Sequence, residues 1–373
     1  MGASLMTDTN NSYAESGVDY SAMDPIKVLA QKRAAQTAGN LSTFNASEIF
    51  ASRGESAYVW EEADSYRSLV IEGLGTKNLV ADAMRAYGDK TYYDQIAQDT
   101  IAMVVNDLIV VGALPQVVNA YFAIGDSNWM KDEQRASDLI NGWAHACDLS
   151  GATWGGGETP TLKGIVNPET IDLGGSAVGI ISDKKNLVLG DKLAAGDNIV
   201  FIKSSGIHAN GLTLARKIGD EQTEGYATKL SDGRMYGEAL LTPTPIYVPI
   251  VRALQNERID VHYMVNITGH GWRKLMRATK DLSYVIDTIP EVPTEFSFIQ
   301  EKAGISDQEM YGNFNMGAGF AIYVAEPDAQ KVVDTATAQG FTALIAGKVE
   351  DGPKQVTITP KNITFTGDTL EVR

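Results

Sequence analysis

The chain has 373 residues, 44% of them hydrophobic and 21% charged, which predicts a globular protein long enough for two domains. Its 47 acidic and 31 basic residues give a formal net charge of -16, so its surface should repel nucleic acids and anionic membranes. Cys147 is the only cysteine, which excludes an intramolecular disulfide and a cysteine-rich zinc site. Since no secretion signal precedes the first motifs, we expect a cytoplasmic protein.

The first predicted elements surround a glycine-rich turn. After 20 polar residues, helical character appears over 24–37, and strand-forming residues follow over 57–71. The turn at 72–75 reads EGLG, and a helix is predicted over 76–86 with Gly88 as its stop. A strand, a glycine turn and a helix start in succession form a geometry that can hold phosphate.

The apolar run over 101–124 is long enough to span a bilayer. However, Asn106 and Asp107 lie inside it and Pro115 follows, and a lone carboxylate in lipid is costly. The run therefore predicts a buried strand and helix of a protein core.

Strands and helices alternate through the rest of the chain. A second glycine turn is predicted at 154–160, and the polar stretch 184–197 separates two domains, 1–186 and 187–373. Further predicted strands lie at 176–181, 198–203, 319–325, 342–349 and, as the last one, 355–359; helices lie at 212–218 and 327–339. This alternation favours an α/β or mixed α+β fold.

Several common signatures are absent from the sequence. There is no GxxxxGK[ST] loop, the third glycine of a dinucleotide turn is replaced by Asn78, and the serine-hydrolase elbow is incomplete. Four histidines and one cysteine do not form a zinc-binding pattern.

Acidic residues in glycine-rich or apolar surroundings remain. They are Glu72, Asp99, Asp107 and Glu158. A carboxylate in an apolar segment is costly unless it is paired or binds a metal, and Mg²⁺ often bridges carboxylates to nucleotide phosphates. Asp107 could equally be a helix cap, and His208 could be an ordinary loop residue. The residues alone thus permit a nucleotide-phosphate enzyme without establishing one.

Taken in order, eight segments resemble the motifs of the aminoimidazole ribonucleotide synthetase family (phosphoribosylformylglycinamidine cyclo-ligases). They are YAESGVD at 13–19, EGLGTK at 72–77, AMVVNDL at 102–108 with GALP at 112–115, GGET at 156–159, SSGIHANG at 204–211, LLTPTPIYV at 240–248, NITGHG at 266–271 and FNMG at 314–317. Each is weak alone, but eight in family order are very improbable by chance.

The resemblance implies a two-domain synthetase fold: an N-terminal domain for dimerisation and nucleotide binding, and a C-terminal domain with a mixed sheet flanked by helices. It also implies ATP- and Mg²⁺-dependent ring closure of formylglycinamidine ribonucleotide in purine synthesis, by a homodimer. Carried over by position, the metal candidates are Glu72, Asp99, Asp107 and Glu158. The ATP-binding candidates are Gly73, Gly75, Thr76, Lys77, Gly156, Gly157 and Thr159. The substrate-binding candidates are Asn210, Gly211, Thr268, Gly269 and Gly271, and the catalytic candidates are His208, Asp107 and His270.

The sequence departs from the family pattern in three places. The acidic residue of the first turn is Glu72 where the family has aspartate, a glycine-rich GGFG stretch is missing from 41–55, and Asn266 replaces a histidine. We hypothesise that His270, in the same loop, supplies the missing imidazole. Two alternatives stay open: another ATP-dependent phosphorylating enzyme of the same superfamily, and a non-catalytic dimeric nucleotide-binding protein.

Overall fold

The structure is a computed structural model that describes residues 20–370, so the YAESGVD motif lies outside the described residues. The helices are α1 (Tyr20–Ala35), α2 (Asn78–Met84), α3 (Tyr93–Ile109), α4 (Glu133–Ser150), α5 (Leu212–Glu221), α6 (Tyr236–Leu240), α7 (Val248–Asn256), α8 (Thr294–Ala303), α9 (Asp307–Asn313) and α10 (Ala329–Ala338). The strands are β1 (Ala46–Glu48), β2 (Tyr58–Glu62), β3 (Ser65–Gly73), β4 (Leu114–Ile124), β5 (Thr153–Glu158), β6 (Ile171–Ile181), β7 (Asn198–Lys203), β8 (Val261–Asn266), β9 (Leu282–Ile286), β10 (Ala318–Val324), β11 (Ala343–Asp351), β12 (Gln355–Ile358) and β13 (Ile363–Thr366).

The first half of the chain builds a six-stranded sheet in the order β1-β2-β3-β6-β4-β5. All neighbours are antiparallel except β4 and β5, which run parallel. Helix α3 packs on β3 and β6, and α4 packs on α3. The alternation along β3 follows from this one-sided cover, because Ser68 and Val70 are buried while Leu69 and Ile71 are exposed.

The second half builds a seven-stranded sheet in the order β13-β12-β9-β11-β7-β10-β8, in which only β12 and β9 pair in parallel. Strand β10 is buried at every residue and β7 at all but its last. Continuous burial of this kind means that these central strands are covered on both faces. The mixed α/β architecture with two sheets confirms the predicted fold class.

The predicted elements were mostly found, with three corrections. Asp107 lies inside helix α3 and not in a strand, because the apolar run forms a helix first and then β4. Residues 153–158 form strand β5 and not a glycine turn, since β4 provides it with a parallel partner. Strand β12 is followed by β13, so the strand predicted near 355 is not the last.

Among the described residues, no helix is both long enough and apolar enough to cross a membrane. The 101–124 run ends its helix at Ile109, where the chain turns at Gly112 with a φ of 83° and enters β4. A Cβ at Gly112 would lie 1.8 Å from the backbone oxygen of Asn186, so glycine is required both for the turn and for this close approach.

The two halves of the chain are joined by the polar connection over 182–197, which contains only a short 3-10 helix, Lys184–Asn186, before β7 begins. A domain boundary at 186/187 stays a prediction. Residues of the stretch 41–55, which lacks the family's GGFG sequence, also form hydrogen bonds with the second half of the chain. Arg277 donates hydrogen bonds to the Gly54 carbonyl at 3.0 and 2.8 Å, and the Tyr263 hydroxyl donates to Glu55 at 2.9 Å.

Candidate active site

Helix α3 is the scaffold of the candidate site. Apolar side chains bury it in the first half of the chain, yet Asp99, Asn106 and Asp107 are buried too and contact the second half. The Asn106 amide donates to the Pro245 carbonyl at 2.9 Å, and its oxygen accepts from the Tyr247 backbone N–H at 2.9 Å. These bonds fix α3 against the segment that leads into α7.

Asp99 forms a closed ion pair with Lys77. The Lys77 Nζ lies 2.8 Å from Asp99 Oδ2, and both side chains are 0% exposed. Lys77 also donates to the Thr242 carbonyl at 2.9 Å, while the Thr244 backbone N–H donates to Asp99 at 2.8 Å. Burial lowers the pKa of Lys77 and raises that of Asp99, and their mutual attraction opposes both shifts. In the structure, Lys77 and Asp99 are each other's partner inside the protein. The predicted roles of Lys77 in phosphate binding and of Asp99 in metal binding stay predictions.

Asp107 lies two helical turns further along α3, about 12 Å from Asp99 along the axis. The two carboxylates therefore cannot bind the same Mg²⁺ ion, whose ligands lie roughly 2 Å from it. One Asp107 oxygen accepts a hydrogen bond of 2.7 Å from the Asn266 side-chain amide. Asn266, the residue in place of the family's histidine, thus fixes the orientation of Asp107.

Glu72 lies on the same face of β3 as the buried Ser68 and Val70, which is the face that α3 covers. Burial and, after it, the negative charge of Asp107 raise the pKa of Glu72 to about 7, while Lys274 and Arg277 oppose the shift. The charge of Asp107 thus acts on Glu72, which makes the two carboxylates a candidate pair for one cation. Among residues 20–370, no group of three or more Asp, Glu, His or Cys side chains is placed to hold a metal ion, so this acidic site is a pair.

Lys274 is a site residue that the sequence motifs did not identify. It lies in the 3-10 helix Gly271–Met276, is 6% exposed, and donates to the Thr268 hydroxyl at 2.6 Å. Burial lowers its pKa to about 8, although Asp107 and Glu72 favour the charged form. Only its position, three residues after the NITGHG motif, was a signal in the sequence, and the motif itself gives no role to that position.

Three predicted loops converge beside α3. A Cβ at Gly75 would lie 4.0 Å from the Ala209 carbonyl oxygen, and one at Gly269 would lie 3.2 Å from the Asn210 side-chain oxygen. The Asn210 amide also lies 3.8 Å from the sulfur of Met103 on α3. The structure thus brings the turn at 72–77, the loop at 204–211 and the loop at 266–271 to one place.

Two of the glycines predicted to bind substrate, Gly211 and Gly271, allow close packing of these loops. Gly211 has a φ of 80°, and a Cβ there would lie 2.2 Å from the Phe314 ring. Gly271 has a φ of 52°, and a Cβ there would lie 2.3 Å from the Tyr311 carbonyl oxygen. The FNMG segment closes the arrangement, because the Asn315 amide donates to the Gly206 carbonyl at 2.8 Å.

The two candidate histidines differ in setting. His208 is 2% exposed with a φ of 61°, and its Nε2 has no hydrogen-bond partner among the described residues. Burial, followed by the charge of Lys77, lowers the pKa of His208 to about 3, so the imidazole is neutral at physiological pH. His270 is half-buried, and its carbonyl accepts a hydrogen bond of 3.3 Å from Arg273.

The GGET segment lies apart from the converging loops. Gly156, Gly157 and Glu158 are exposed on β5, the edge strand of the first sheet, and Thr159 is exposed directly after it. Gly73, Gly174, Tyr121 and Glu158 share one row across β3, β6, β4 and β5, so three strand spacings, about 14 Å, separate Glu158 from the turn at Gly73. The structure of the chain does not bring Gly156, Gly157, Glu158 and Thr159 to Glu72 and Asp107.

The fold and these loops define a class of protein. The chain matches the model of the AIR synthase related protein N-terminal domain over residues 54–181 and that of the C-terminal domain over 194–359. Solved structures with a similar fold include a HypE-HypF complex, at a TM-score of 0.59 and 18% identity over 84% of this chain and 92% of that chain. Another is AaThiL complexed with AMPPCP and TMP, at a TM-score of 0.54 and 16% identity over 83% and 89%. These likenesses show the fold.

Sequence relatives are more specific. A phosphoribosylformylglycinamidine cyclo-ligase from Methanococcus maripaludis is 37% identical over 80% of this chain and 82% of its own length. The enzyme of the same name from Methanocaldococcus jannaschii is 36% identical over 91% and 92%, and that from Methanobrevibacter smithii 34% over 95% and 98%. The chain belongs to the phosphoribosylformylglycinamidine cyclo-ligase family of enzymes, which confirms the resemblance drawn from the motifs.

Proposed function

We propose that the protein catalyses ATP-dependent ring closure of formylglycinamidine ribonucleotide to aminoimidazole ribonucleotide in purine biosynthesis, with release of ADP and phosphate. Family membership supports the reaction. We place the reaction where three loops converge beside Glu72 and Asp107. This place combines carboxylates, glycine backbone and a buried ammonium.

The donor set fits Mg²⁺. Mg²⁺ is commonly held by one or two carboxylates together with water and substrate phosphates, and Glu72 and Asp107 form such a pair. When bound there, the ion would neutralise charge on the ATP phosphates. Asn266 leaves one Asp107 oxygen available for this purpose, because its single hydrogen bond goes to the other oxygen.

In the proposed reaction, the formyl amide oxygen of the substrate attacks the terminal phosphorus of ATP, and the bond to ADP breaks. An amidine nitrogen of the same molecule then attacks the activated carbon, phosphate leaves with the former amide oxygen, and the ring closes. The chain's task is to hold the nucleophile in place and to stabilise charge on the moving phosphoryl group. We assign phosphate contacts to Gly73, Gly75 and Thr76, and substrate contacts to Asn210, Gly211, Thr268, Gly269 and Gly271.

His208 fits a positioning role in this scheme. Its imidazole is neutral at physiological pH, and its Nε2 has no partner within the described part of the chain. A neutral ring nitrogen can donate or accept one hydrogen bond to a bound ligand, but it does not supply a positive charge.

We further propose a homodimer formed through the open face of the first sheet. Leu69 and Ile71 on β3, and Val117 and Tyr121 on β4, expose apolar surface on the face opposite α3. Since apolar sheet faces are normally covered, a second copy is the proposed cover. Ile71→Lys should give a monomer in sedimentation equilibrium under conditions where the wild type is dimeric. We place this dimer in the cytoplasm, with a small-molecule nucleotide as its ligand.

The central experiment incubates the protein with ATP, Mg²⁺ and formylglycinamidine ribonucleotide and measures the aminoimidazole product and ADP. We expect both to form in equal amounts. ADP formed with a different acceptor, and no ring product, would favour another phosphorylating enzyme of the superfamily. Neither product, with ATP still bound, would favour the non-catalytic binding protein.

A further inference from the structure

Lys274 combines deep burial with incomplete pairing. Its side-chain nitrogen has three donors, and Thr268 accepts one of them at 2.6 Å. Among residues 20–370, no carboxylate oxygen lies within 4.0 Å of this nitrogen. Burying an ammonium with one neutral partner is costly, so the chain carries a destabilising feature at this position.

The position of Lys274 relative to the acidic pair is fixed by one segment. Asn266 holds Asp107 and Thr268 holds Lys274, and these two anchors are two residues apart, about 7 Å if extended. The charges of Asp107, Glu72 and Glu55 attract the ammonium, and that of Arg277 opposes it. The acidic residues and the fixed ammonium therefore act on each other through their charges and are anchored by one segment, an arrangement suited to a metal-bound phosphate.

We propose that Lys274 contacts the transferring phosphoryl group and stabilises its charge during transfer, with Thr268 as the positioning residue that holds the ammonium. This inference rests on the proposed function for its choice of ligand. Lys274 would provide the site with a fixed positive charge that does not depend on bound metal. Such charges act mainly in the transition state, where charge spreads over the phosphoryl oxygens.

The test compares Lys274→Met, which keeps the length of the side chain and removes its charge, with Lys331→Met, which removes an exposed ammonium on α10. We expect Lys274→Met to lower kcat on the order of a thousandfold with little change in the KM for ATP. Its melting temperature should be equal to or higher than that of the wild type, because a poorly paired buried charge is removed. Lys331→Met should resemble the wild type.

A binding measurement separates this inference from the proposed function. ADP with Mg²⁺ and aluminium fluoride mimics the transferring phosphoryl group, and titration calorimetry gives its affinity without ring closure. Lys274→Met should weaken binding of this mimic on the order of a hundredfold and that of ADP alone only a few-fold. If the wild type binds the mimic in this Lys274-dependent way yet forms no aminoimidazole product, the proposed function fails and the role of Lys274 stands.

Three outcomes would overturn the role of Lys274. The first is unchanged affinity of Lys274→Met for the mimic. The second is an equal loss of ADP and mimic affinity together with a lowered melting temperature, which would mark a purely structural lysine. The third is a wild type that does not bind the mimic at all. As a second variant, Lys274→Ala should regain part of its turnover when ethylamine is added, whereas Lys331→Ala should not respond.

Discussion

Two groups of buried charge lie along α3, and they differ in how completely they are paired. Near the start of the helix, Asp99 is matched by Lys77, and Thr242 and Thr244 from the second half of the chain complete the set. Two turns later, the charge of Asp107 helps to raise the pKa of Glu72, and Lys274 has one neutral hydrogen-bond partner. Buried groups that are satisfied stabilise a structure, whereas groups left with open donors and acceptors are prepared for a ligand. The first group thus fits a structural joint, and the second fits the proposed chemistry.

The largest effect should follow from Asp107→Asn. The amide keeps the shape but loses the negative charge that would hold Mg²⁺ on the ATP phosphates, so turnover should fall on the order of a thousandfold. The variant should fold, as far-UV circular dichroism and thermal unfolding would show. Steady-state assays over a range of Mg²⁺ concentrations check this. Near wild-type turnover at saturating Mg²⁺ would remove Asp107 from the metal site.

Breaking the other group should affect stability. Asp99→Asn leaves Lys77 as an uncompensated buried charge, which typically costs about 3 to 5 kcal/mol. The double variant Lys77→Met with Asp99→Leu should recover much of that loss, because an apolar pair replaces the ionic one. Urea unfolding measures both. If Asp99→Asn unfolds like the wild type but loses Mg²⁺-dependent turnover, Asp99 belongs with Asp107 and the comparison is wrong.

His270→Ala tests the loop that carries the open group. The hypothesis that this imidazole replaces the one absent at Asn266 predicts a loss of turnover on the order of a hundredfold, with a changed pH–rate profile. Asn266→Ala is a useful companion, since it should misplace Asp107 without removing an imidazole. Normal turnover and an unchanged profile for His270→Ala would reject the hypothesis.

The smallest effect concerns His208, which lies near the paired group. Its pKa is lowered to about 3 in the folded protein by burial, whereas an unfolded histidine titrates near 6.5. Between these values the unfolded chain binds the proton and the folded protein does not, so the free energy of unfolding must fall as pH falls through this window. In His208→Gln, the slope of the free energy of unfolding against pH should decrease by the equivalent of up to one bound proton. Urea midpoints between pH 6.5 and 4.5 measure it, and parallel curves for both proteins would contradict the predicted burial effect.

Local patterns determined much of the architecture from the sequence. The apolar run at 199–202 predicts a central strand, and the predicted bounds of β7 agree with the observed ones. Five of its six residues are buried, as expected for such a strand. Helix α10 and the strands on either side of it were also predicted, because their periodicity and the glycine at 340 are local signals. The eight motifs, taken together, identified the family.

Only the tertiary structure decided which charged groups meet. The motifs predict ligand-binding roles for Lys77 and Asp99, but Thr244, 145 positions beyond Asp99, completes their internal pairing. Lys274 belongs to no motif, and it joins the site because Thr268 holds its ammonium and the charges of Asp107 and Glu72 act on it. Residues 153–158 became a strand because β4 lies beside them. Composition and spacing predict the secondary structure that one segment favours. Which charged groups pair depends on which distant segments are buried together, and packing of the two sheets around α3 decides that.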